Sequence, residues 1–541
     1  MAWIALVGPE IEENLSLRYL AAALERAGEQ VEIVPFNGPD AYGATLERLL
    51  SRDEPPAVIA ISLSFQWRAP DCLALAVGLR EKGYRGHLTA GGHFGTFAAP
   101  ELLRDFPELD SICRHEAEET LVELVRALRE GAPLGGVHGL ALREGGRVTL
   151  TPLRAPPALE GLAWPTRFGE PTRCLGHRVA AMIGSRGCYA RCAFCCIAAW
   201  HEQTLPGKRY RLRPVEDIAD ELAALVRERG IDTFIFHDDN FFLPNPARSL
   251  ERINALGDAL DARKVGRIAT VVKARPPDVT REVFEAMQRR LGLTRVFLGI
   301  ETDAEQGLET LGRRVAKEQN HEAMRILSEL GVYVCFNLLV FDPDTTLESL
   351  ATNLAFMREY GHSPFNFGRV ELYAGTPLLE RMQREGRCTG DYLGWDYTLG
   401  DARIQRVFEL ATRCFYPRNF AAGALANRLM GTRFDVEMAR HFHPAVYRAE
   451  WLARAKALSR ALSADSVRAL EAIIGFVGSD APRAAELDFT ARLGAELRAT
   501  EAALCAEATA LEREVQQAAG ASCEHTHPLI PAARPTAQEL R

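Results

Sequence analysis

Along the first hundred residues, short continuous apolar runs alternate with stretches of helical period. Trp3-Ile4-Ala5-Leu6-Val7 ends at Gly8-Pro9, and a run apolar at every position predicts a strand buried on both faces of a parallel sheet. Asn14 offers a helix N-cap, Leu17, Leu20, Leu24 and Ala27 recur at helical spacing, and Gly28 stands where a helix end favours a left-handed residue. Strands over 31–36, 58–64 and 88–93 follow, the last two carrying Ser62-Leu63-Ser64 and Gly91-Gly92-His93. This rhythm predicts a doubly wound parallel sheet over residues 1–150, with ligands at the strand carboxyl ends. A response-regulator-like or dinucleotide domain has the same rhythm.

Residues 151–178 carry Pro152, Pro156, Pro157 and Pro165 without a sustained period and predict a linker. From 179 to 388 strands at 179–183, 233–236, 269–275, 295–301, 333–341 and 366–373 alternate with helices at 215–229, 249–262, 282–290 and 317–330. Such repeated units predict a partial (β/α)6 barrel with its polar residues at the strand C-termini. Residues 389–519 read as a helical domain, broken at Pro417, Pro444, Ser463 and Pro482, with Leu504, Ala508, Leu511 and Val515 as a packing stripe. The Pro- and Thr-rich residues 520–541, with His525 and His527, predict a flexible tail.

Composition narrows the function classes. Of 541 residues, 47% are apolar and 25% charged, as in ordinary globular chains, and the net charge of −8 argues against a nucleic-acid partner held by a basic face. The sequence predicts no membrane span and no signal peptide, hence a cytoplasmic location. Twelve cysteines in this length are not a disulfide scaffold. Eight stand singly, as small buried apolar residues do, but Cys188, Cys192, Cys195 and Cys196 crowd together just after a strand. The C-x3-C-x2-C spacing supplies three ligands to a cubane and leaves a fourth iron open, whereas zinc sites usually show four ligands. Cys196, adjacent to a ligand, reads as a bystander.

The segment Cys188-Tyr189-Ala190-Arg191-Cys192-Ala193-Phe194-Cys195 resembles the cluster loop of the radical S-adenosylmethionine (SAM) family. The resemblance implies a 4Fe-4S cluster on Cys188, Cys192 and Cys195, SAM chelated to the open iron, Phe194 packed on adenine, and reductive cleavage of SAM to a 5′-deoxyadenosyl radical. Other strand ends match in order: Asp238-Asp239-Asn240, Gly299-Ile300-Glu301-Thr302, Leu339-Val340-Phe341 and Gly375-Thr376-Pro377. Asp238 and Glu301 are thereby implied as catalytic residues orienting SAM, with Asn240, Lys273, Arg275 and Val340 as further SAM contacts. Taken alone, each has a plain alternative as a helix cap, ion pair or core residue.

The N-terminal domain in turn resembles cobalamin-binding domains. That implies cobalamin contacts from Gly8, Ser62, Ser64, Trp67, Gly91, Gly92, His93 and Glu116. The Glu116 segment departs from the usual Gly-Glu-Gly-Glu, having His115 and Ala117, and no Asp-x-His-x-x-Gly follows the first strand. Cobalt is then expected without a protein histidine, and Trp67 either covers its lower face or is a core aromatic.

Together these resemblances imply a cobalamin-dependent radical SAM enzyme. The leading reading is a methyltransferase acting through methylcobalamin on an unactivated carbon of a small molecule, natural product or lipid. The alternatives are an oxidative cyclase or ring-rearranging enzyme with the same parts, or a cobalamin or iron–sulfur sensor. An external electron donor such as a flavodoxin or ferredoxin is implied. The C-terminal helices are expected to cover the barrel mouth, where Tyr392, Trp395, Tyr397, Phe415, Tyr416, His441 and His443 are either substrate contacts or core.

Overall fold

The computed structural model describes residues 3–204, 209–421 and 423–521. His525 and His527 lie outside the described residues. Strands β1 (Trp3–Gly8), β2 (Gln30–Pro35), β3 (Val58–Ser62), β4 (His87–Gly91) and β5 (Ser111–Cys113) run parallel in the spatial order β2-β1-β3-β4-β5. An antiparallel pair, β6 (Leu140–Glu144) and β7 (Arg147–Leu150), extends the sheet beyond β5. These last three strands were not predicted. A three-residue strand shows no period, but Gly145-Gly146, both at positive φ, is a hairpin signal that was there to read. Asn14 caps its helix as expected, accepting from the Leu17 N–H at 3.3 Å.

The second sheet contains β8 (Arg173–Cys174), β9 (His177–Met182), β12 (Ile231–Phe236), β13 (Ala269–Ala274), β14 (Leu293–Glu301), β15 (Tyr333–Phe341) and β16 (Phe365–Arg369). A separate hairpin of β10 (Ser185–Gly187) and β11 (Tyr210–Leu212) flanks the cysteine loop. Six of these strands, β9 and β12 to β16, are parallel neighbours and make the partial barrel. β8, drawn from the end of the expected linker, pairs antiparallel with β9.

The C-terminal region is helical, with helices Ala402–Asn419, Leu425–Phe442, Ala449–Gly478 and Glu486–Ala519. Two expected breaks are absent. Pro417 sits inside the first helix near its end, where its missing N–H leaves one carbonyl in the preceding turn without its helical donor but does not end the helix. Ser463 lies inside the third, its hydroxyl donating to the Met357 carbonyl at 2.7 Å. A serine so bonded is tolerated within a helix.

These helices do not cover the barrel mouth, which corrects that expectation. Leu425, Leu429, Met430 and Phe434 pack with Ala269, Val271, Tyr333 and Cys335 on the concave face. His441 bonds the Ile268 carbonyl at 2.9 Å, just before β13, and His443 contacts His177 at 3.2 Å, where β9 begins. Both histidines therefore brace the strand N-termini, away from the mouth. Ala402–Asn419 instead covers the open edge at β16. The Asn366 and Asn419 amides donate to the Asn419 and Phe367 carbonyls at 2.8 and 3.1 Å, supplying partners that an edge lacks.

The N-terminal sheet faces the mouth. After β3, Gln66 donates to the Leu372 carbonyl and accepts from the Ala374 N–H, at 3.4 and 3.3 Å. After β1, Glu13 accepts from the Ala181 N–H at 2.8 Å. Gly375 has φ +76°, and a Cβ there would stand 2.3 Å from the Phe97 ring, so that turn requires glycine for both conformation and space. The carboxyl ends of the two sheets thus oppose each other.

Candidate active site between the two sheets

The cysteine loop joins β10 to the helix Cys196–Thr204. Its shape is fixed at Ala193, whose N–H donates to the Leu311 carbonyl at 2.8 Å and whose carbonyl accepts from the Leu378 N–H at 2.9 Å. The Gly375-Thr376-Pro377 turn therefore holds the loop through the helix it starts. Cys192 is buried, and Cys188 and Cys195 are half-buried. Arg313 donates to Cys192 Sγ at 3.2 Å, and the Ala190 N–H approaches Cys188 Sγ at 3.4 Å. Burial pushes the Cys188 thiol up to about 11 and Cys195 well above its ordinary value. A buried thiol keeps its proton until a metal's charge replaces it, and hydrogen-bond donors at sulfur suit thiolate ligands. The loop therefore fits a cluster. Among the described residues no three His, Cys, Asp or Glu side chains converge on one ion; a cubane gives each thiolate its own iron.

Glu301 lies beside this loop. The β14–β15 register shifts between Leu298 and Glu301, and Glu301 has φ +63°, a left-handed conformation that costs a non-glycine residue about 1–2 kcal/mol. Burial raises its carboxyl pKa, while Arg313 and Arg275 oppose that rise. Arg275 donates to the Arg313 carbonyl at 2.6 Å, with its guanidinium 5.3 Å from the Tyr189 ring centroid. Arg313, missed from the sequence, thus links cysteine loop and carboxylate: Gly299 O and Cys192 Sγ both accept from it. Arg313→Met is expected to lower cluster content and SAM cleavage about 10–100-fold, the usual scale for a group supporting a metal ligand, as measured by bound iron and 5′-deoxyadenosine. Unchanged values would remove it from the site.

The structure reassigns some expected contacts. Asp238 is 1% exposed and its carboxylate accepts from the Gly184 N–H at 2.9 Å and from the Ser185 hydroxyl. Burial pushes its pKa up to about 6. It holds the turn into the cysteine loop and is not open to a ligand. Asp238→Ala strands both donors and should cost about 1–3 kcal/mol for each buried group, read as denaturant-midpoint loss in the full chain. Asp239 is exposed, accepts from the Gly187 N–H at 3.0 Å, and acts electrostatically on Cys188, Cys195, Cys196 and His93. It is the carboxylate facing the loop. Asn240 is buried and donates to the Phe242 carbonyl at 3.2 Å. Val340 is a further correction. It is 1% exposed and packs in the outer core with Val334, Phe336 and Leu338, whereas Tyr333 and Cys335 of the same strand face the concave side. Phe194 is partly buried beside the same core.

On the opposing sheet, a Cβ on Gly8 would lie 2.9 Å from Ser62 Cβ, and one on Gly91 3.1 Å from the Cys113 carbonyl oxygen. Gly92 has φ +101°, and its Cβ would stand 3.0 Å from the Leu63 carbonyl carbon and Ser64 Cα. Ser62 and Ser64 hydroxyls lie 3.1 Å apart. Glycine is thus required by the sheet's own neighbouring atoms, and it leaves backbone and serine hydroxyls as a cradle at the strand carboxyl ends, the side on which such sheets bind ligands. Trp67 is half-buried in the turn after β3, 6.1 Å from exposed Phe65. The His93 ring lies 4.7 Å from Trp200, on the helix that follows the cysteines. Glu116 is committed to the domain joint: Arg186 bonds one oxygen at 2.7 Å and Arg211 the other.

Within the barrel, Lys273 registers with Phe297 and Phe297 with Cys335, defining one layer of the concave face. Glu12, from the loop after β1, meets His237 at 3.7 Å, and Lys273 and Arg295 act on both. Burial pushes Glu12 up to about 7 and His237 down to about 3. Nothing in the sequence marked Glu12, because its partners come from a different domain.

A glycine-lined α/β sheet set against the mouth of a half-barrel with a three-cysteine loop defines an enzyme that brings cobalamin to a radical SAM centre. Comparison with known families agrees: the B12 binding domain matches residues 4–125 and the Radical SAM superfamily residues 182–357. The chain therefore carries a B12 binding domain and a radical SAM domain, the pairing found in cobalamin-dependent radical SAM enzymes, and its cofactors are a 4Fe-4S cluster, SAM and cobalamin. An uncharacterized methyltransferase of Pyrococcus horikoshii is 26% identical over 68% of this chain and 77% of its own length. The anaerobic magnesium-protoporphyrin IX monomethyl ester cyclase of Rubrivivax gelatinosus is 27% identical over 55% of this chain and 52% of its own. The solved cobalamin-dependent SAM radical enzyme OxsB, with aqua-cobalamin and SAM bound, shares the fold with TM-score 0.65 and 18% identity over 96% of this chain and 83% of that one. No helix among the described residues is long and apolar enough to cross a membrane.

Proposed function

We propose that the protein is a methyltransferase that methylates an unactivated carbon of a small molecule. The observation that carries this is the placement of the Gly92 cradle and the cysteine loop on opposite walls of one mouth. With cofactors bound, SAM and the cluster supply a 5′-deoxyadenosyl radical and cobalamin supplies the methyl group. The chain's part is to hold and shield them. Residues 1–150 seat cobalamin at Gly8, Ser62, Ser64, Gly91 and Gly92; residues 179–388 carry the cluster on Cys188, Cys192 and Cys195, with Glu301, Arg275 and Arg313 around SAM; residues 389–519 close the barrel's base and edge. Opposed walls that exclude water let a reactive intermediate meet substrate before solvent. Glu12, His237 and Lys273 lie within the barrel, where they favour a substrate with polar groups. An external one-electron donor in the cytoplasm completes the reading.

The cyclase-like relative supports a second reading, oxidative cyclisation with the same parts. Anaerobic turnover with SAM, reductant and a candidate substrate separates the two by product mass. Methyl transfer adds one CH2 and yields S-adenosylhomocysteine with 5′-deoxyadenosine. A product that has lost hydrogens without gaining carbon would sink the methyltransferase reading. Glu301→Gln is expected to weaken SAM about tenfold or more, the scale of one charge-assisted hydrogen bond, measured as the SAM concentration needed for substrate-free 5′-deoxyadenosine formation.

A further inference from the structure

A second cavity lies at the other end of the barrel. With a volume of about 40 Å3 and partly open to solvent, it sits between the start of β15, the end of the helix Lys317–Glu329 and the helices Leu425–Phe442 and Ala449–Gly478. Its lining includes Arg433, Arg440, Lys456, His362, Ser328 and Ser363. Since roughly 10–15 Å3 suffices for one water, the space accommodates a tetrahedral oxyanion.

The charge in this cavity is unbalanced. Arg433 is buried and bonds Glu437 Oε1 at 2.7 Å, and Arg440 approaches Glu437 Oε2 at 2.9 Å. One carboxylate therefore serves two guanidiniums. Arg440 also donates to the Gly331 carbonyl at 3.0 Å. Lys456 is half-buried and makes no ion pair or hydrogen bond among the described residues. Burial, Arg433, Arg460 and Arg440 all disfavour its charge, and Glu437 alone favours it. His362 is pushed down to about 4 by burial and by Lys456, Arg460 and Arg433, so its neutral ring keeps one N–H to donate. Arg433 is removed from water while Lys456 and Arg440 are partly exposed, and together these three cationic side chains face one carboxylate, so the buried part of the charge is short of a partner.

We propose that this cavity binds a small oxyanion of the phosphate class, with Lys456 as its principal counter-ion. The anion ties the C-terminal helices to the base of the barrel, and the site is independent of the cysteine loop and of the proposed methyl transfer. The probe is inorganic phosphate, added to the full chain with its cluster in place and measured by equilibrium dialysis of radiolabelled phosphate at fixed ionic strength. Saturable binding of one phosphate per chain is expected, weakened about tenfold or more in Lys456→Gln, on the scale of one charged hydrogen bond, and restored in Lys456→Arg. Substrate-free 5′-deoxyadenosine formation should be unchanged in Lys456→Gln, which also shows that this variant is folded. Absence of saturable binding, equal competition by chloride, or equal affinity in Lys456→Gln would each overturn the site. A monoester, glycerol 3-phosphate, distinguishes sources: competition at the same concentration as phosphate extends the ligand to phosphate esters, and its failure confines the site to the free ion.

Discussion

Cys192→Ala, like Cys188→Ala and Cys195→Ala, is expected to give a chain that binds cobalamin yet holds no intact 4Fe-4S cluster and forms no 5′-deoxyadenosine above background. Three thiols in one short loop are the whole protein ligand set implied for the cluster, so no neighbour replaces a missing one; Cys196 opens a helix and is the adjacent residue to Cys195. Cys192 should be the most damaging position. Its sulfur accepts from Arg313 at 3.2 Å, and truncation leaves a buried guanidinium beside an empty space. The fold should survive, because the loop backbone is pinned independently at Ala193. Iron and sulfide content, the visible absorption of the reconstituted protein, and deoxyadenosine yield are the readouts. Full deoxyadenosine yield from Cys192→Ala would refute the ligand assignment, and loss from Cys196→Ala alone would transfer the role to that residue.

Gly92→Val is expected to have the second largest effect, abolishing cobalamin binding while leaving the cluster in place. The φ of +101° lies where only glycine is at ease, and a misplaced residue costs of order 1–3 kcal/mol in backbone strain. The Cβ would also meet Leu63 and Ser64 backbone atoms at 3.0 Å. Backbone there cannot rotate aside as a side chain would, so the turn after β4 must move away from the turn after β3. Those two turns form the proposed cradle. Cobalamin retained on gel filtration, compared with iron per chain, measures the effect. Wild-type cobalamin content in Gly92→Val would mean that the ligand sits elsewhere on this sheet. Gly28→Ala is the matched control: it also has positive φ, with open space around it, and should affect stability without removing cobalamin.

The particular residues show why some of the site was legible and some was not. Cys188, Cys192 and Cys195 stand out in the sequence because one short loop carries all three thiols, so local spacing alone brings them together. The need for glycine at 92 was legible for a similar reason: a tight turn at a strand end favours a residue without a side chain, and the φ of +101° there agrees. Val340 failed because a strand places successive side chains on opposite faces, and one residue decides which face meets the ligand. Asp238 and Asp239 failed likewise; adjacent carboxylates look alike in sequence, but one is consumed by Gly184 and Ser185 while the other remains exposed. Arg313 gave no local signal, since its partners Cys192 and Gly299 arrive from other segments.

The amino-acid sequence by itself determined the strand and helix order, the six-unit half-barrel, the helical C-terminal region and the cysteine loop, because each depends on periodicity or on ligands a few residues apart. The tertiary structure decided which sheet ends oppose each other, that the C-terminal helices brace the base and edge and leave the mouth to the N-terminal sheet, and that Glu12 meets His237. It also decided that Lys456 shares a cavity with Arg433 and Arg440. These are encounters between residues far apart along the chain, and they depend on how whole elements pack, which hydrophobic period does not record.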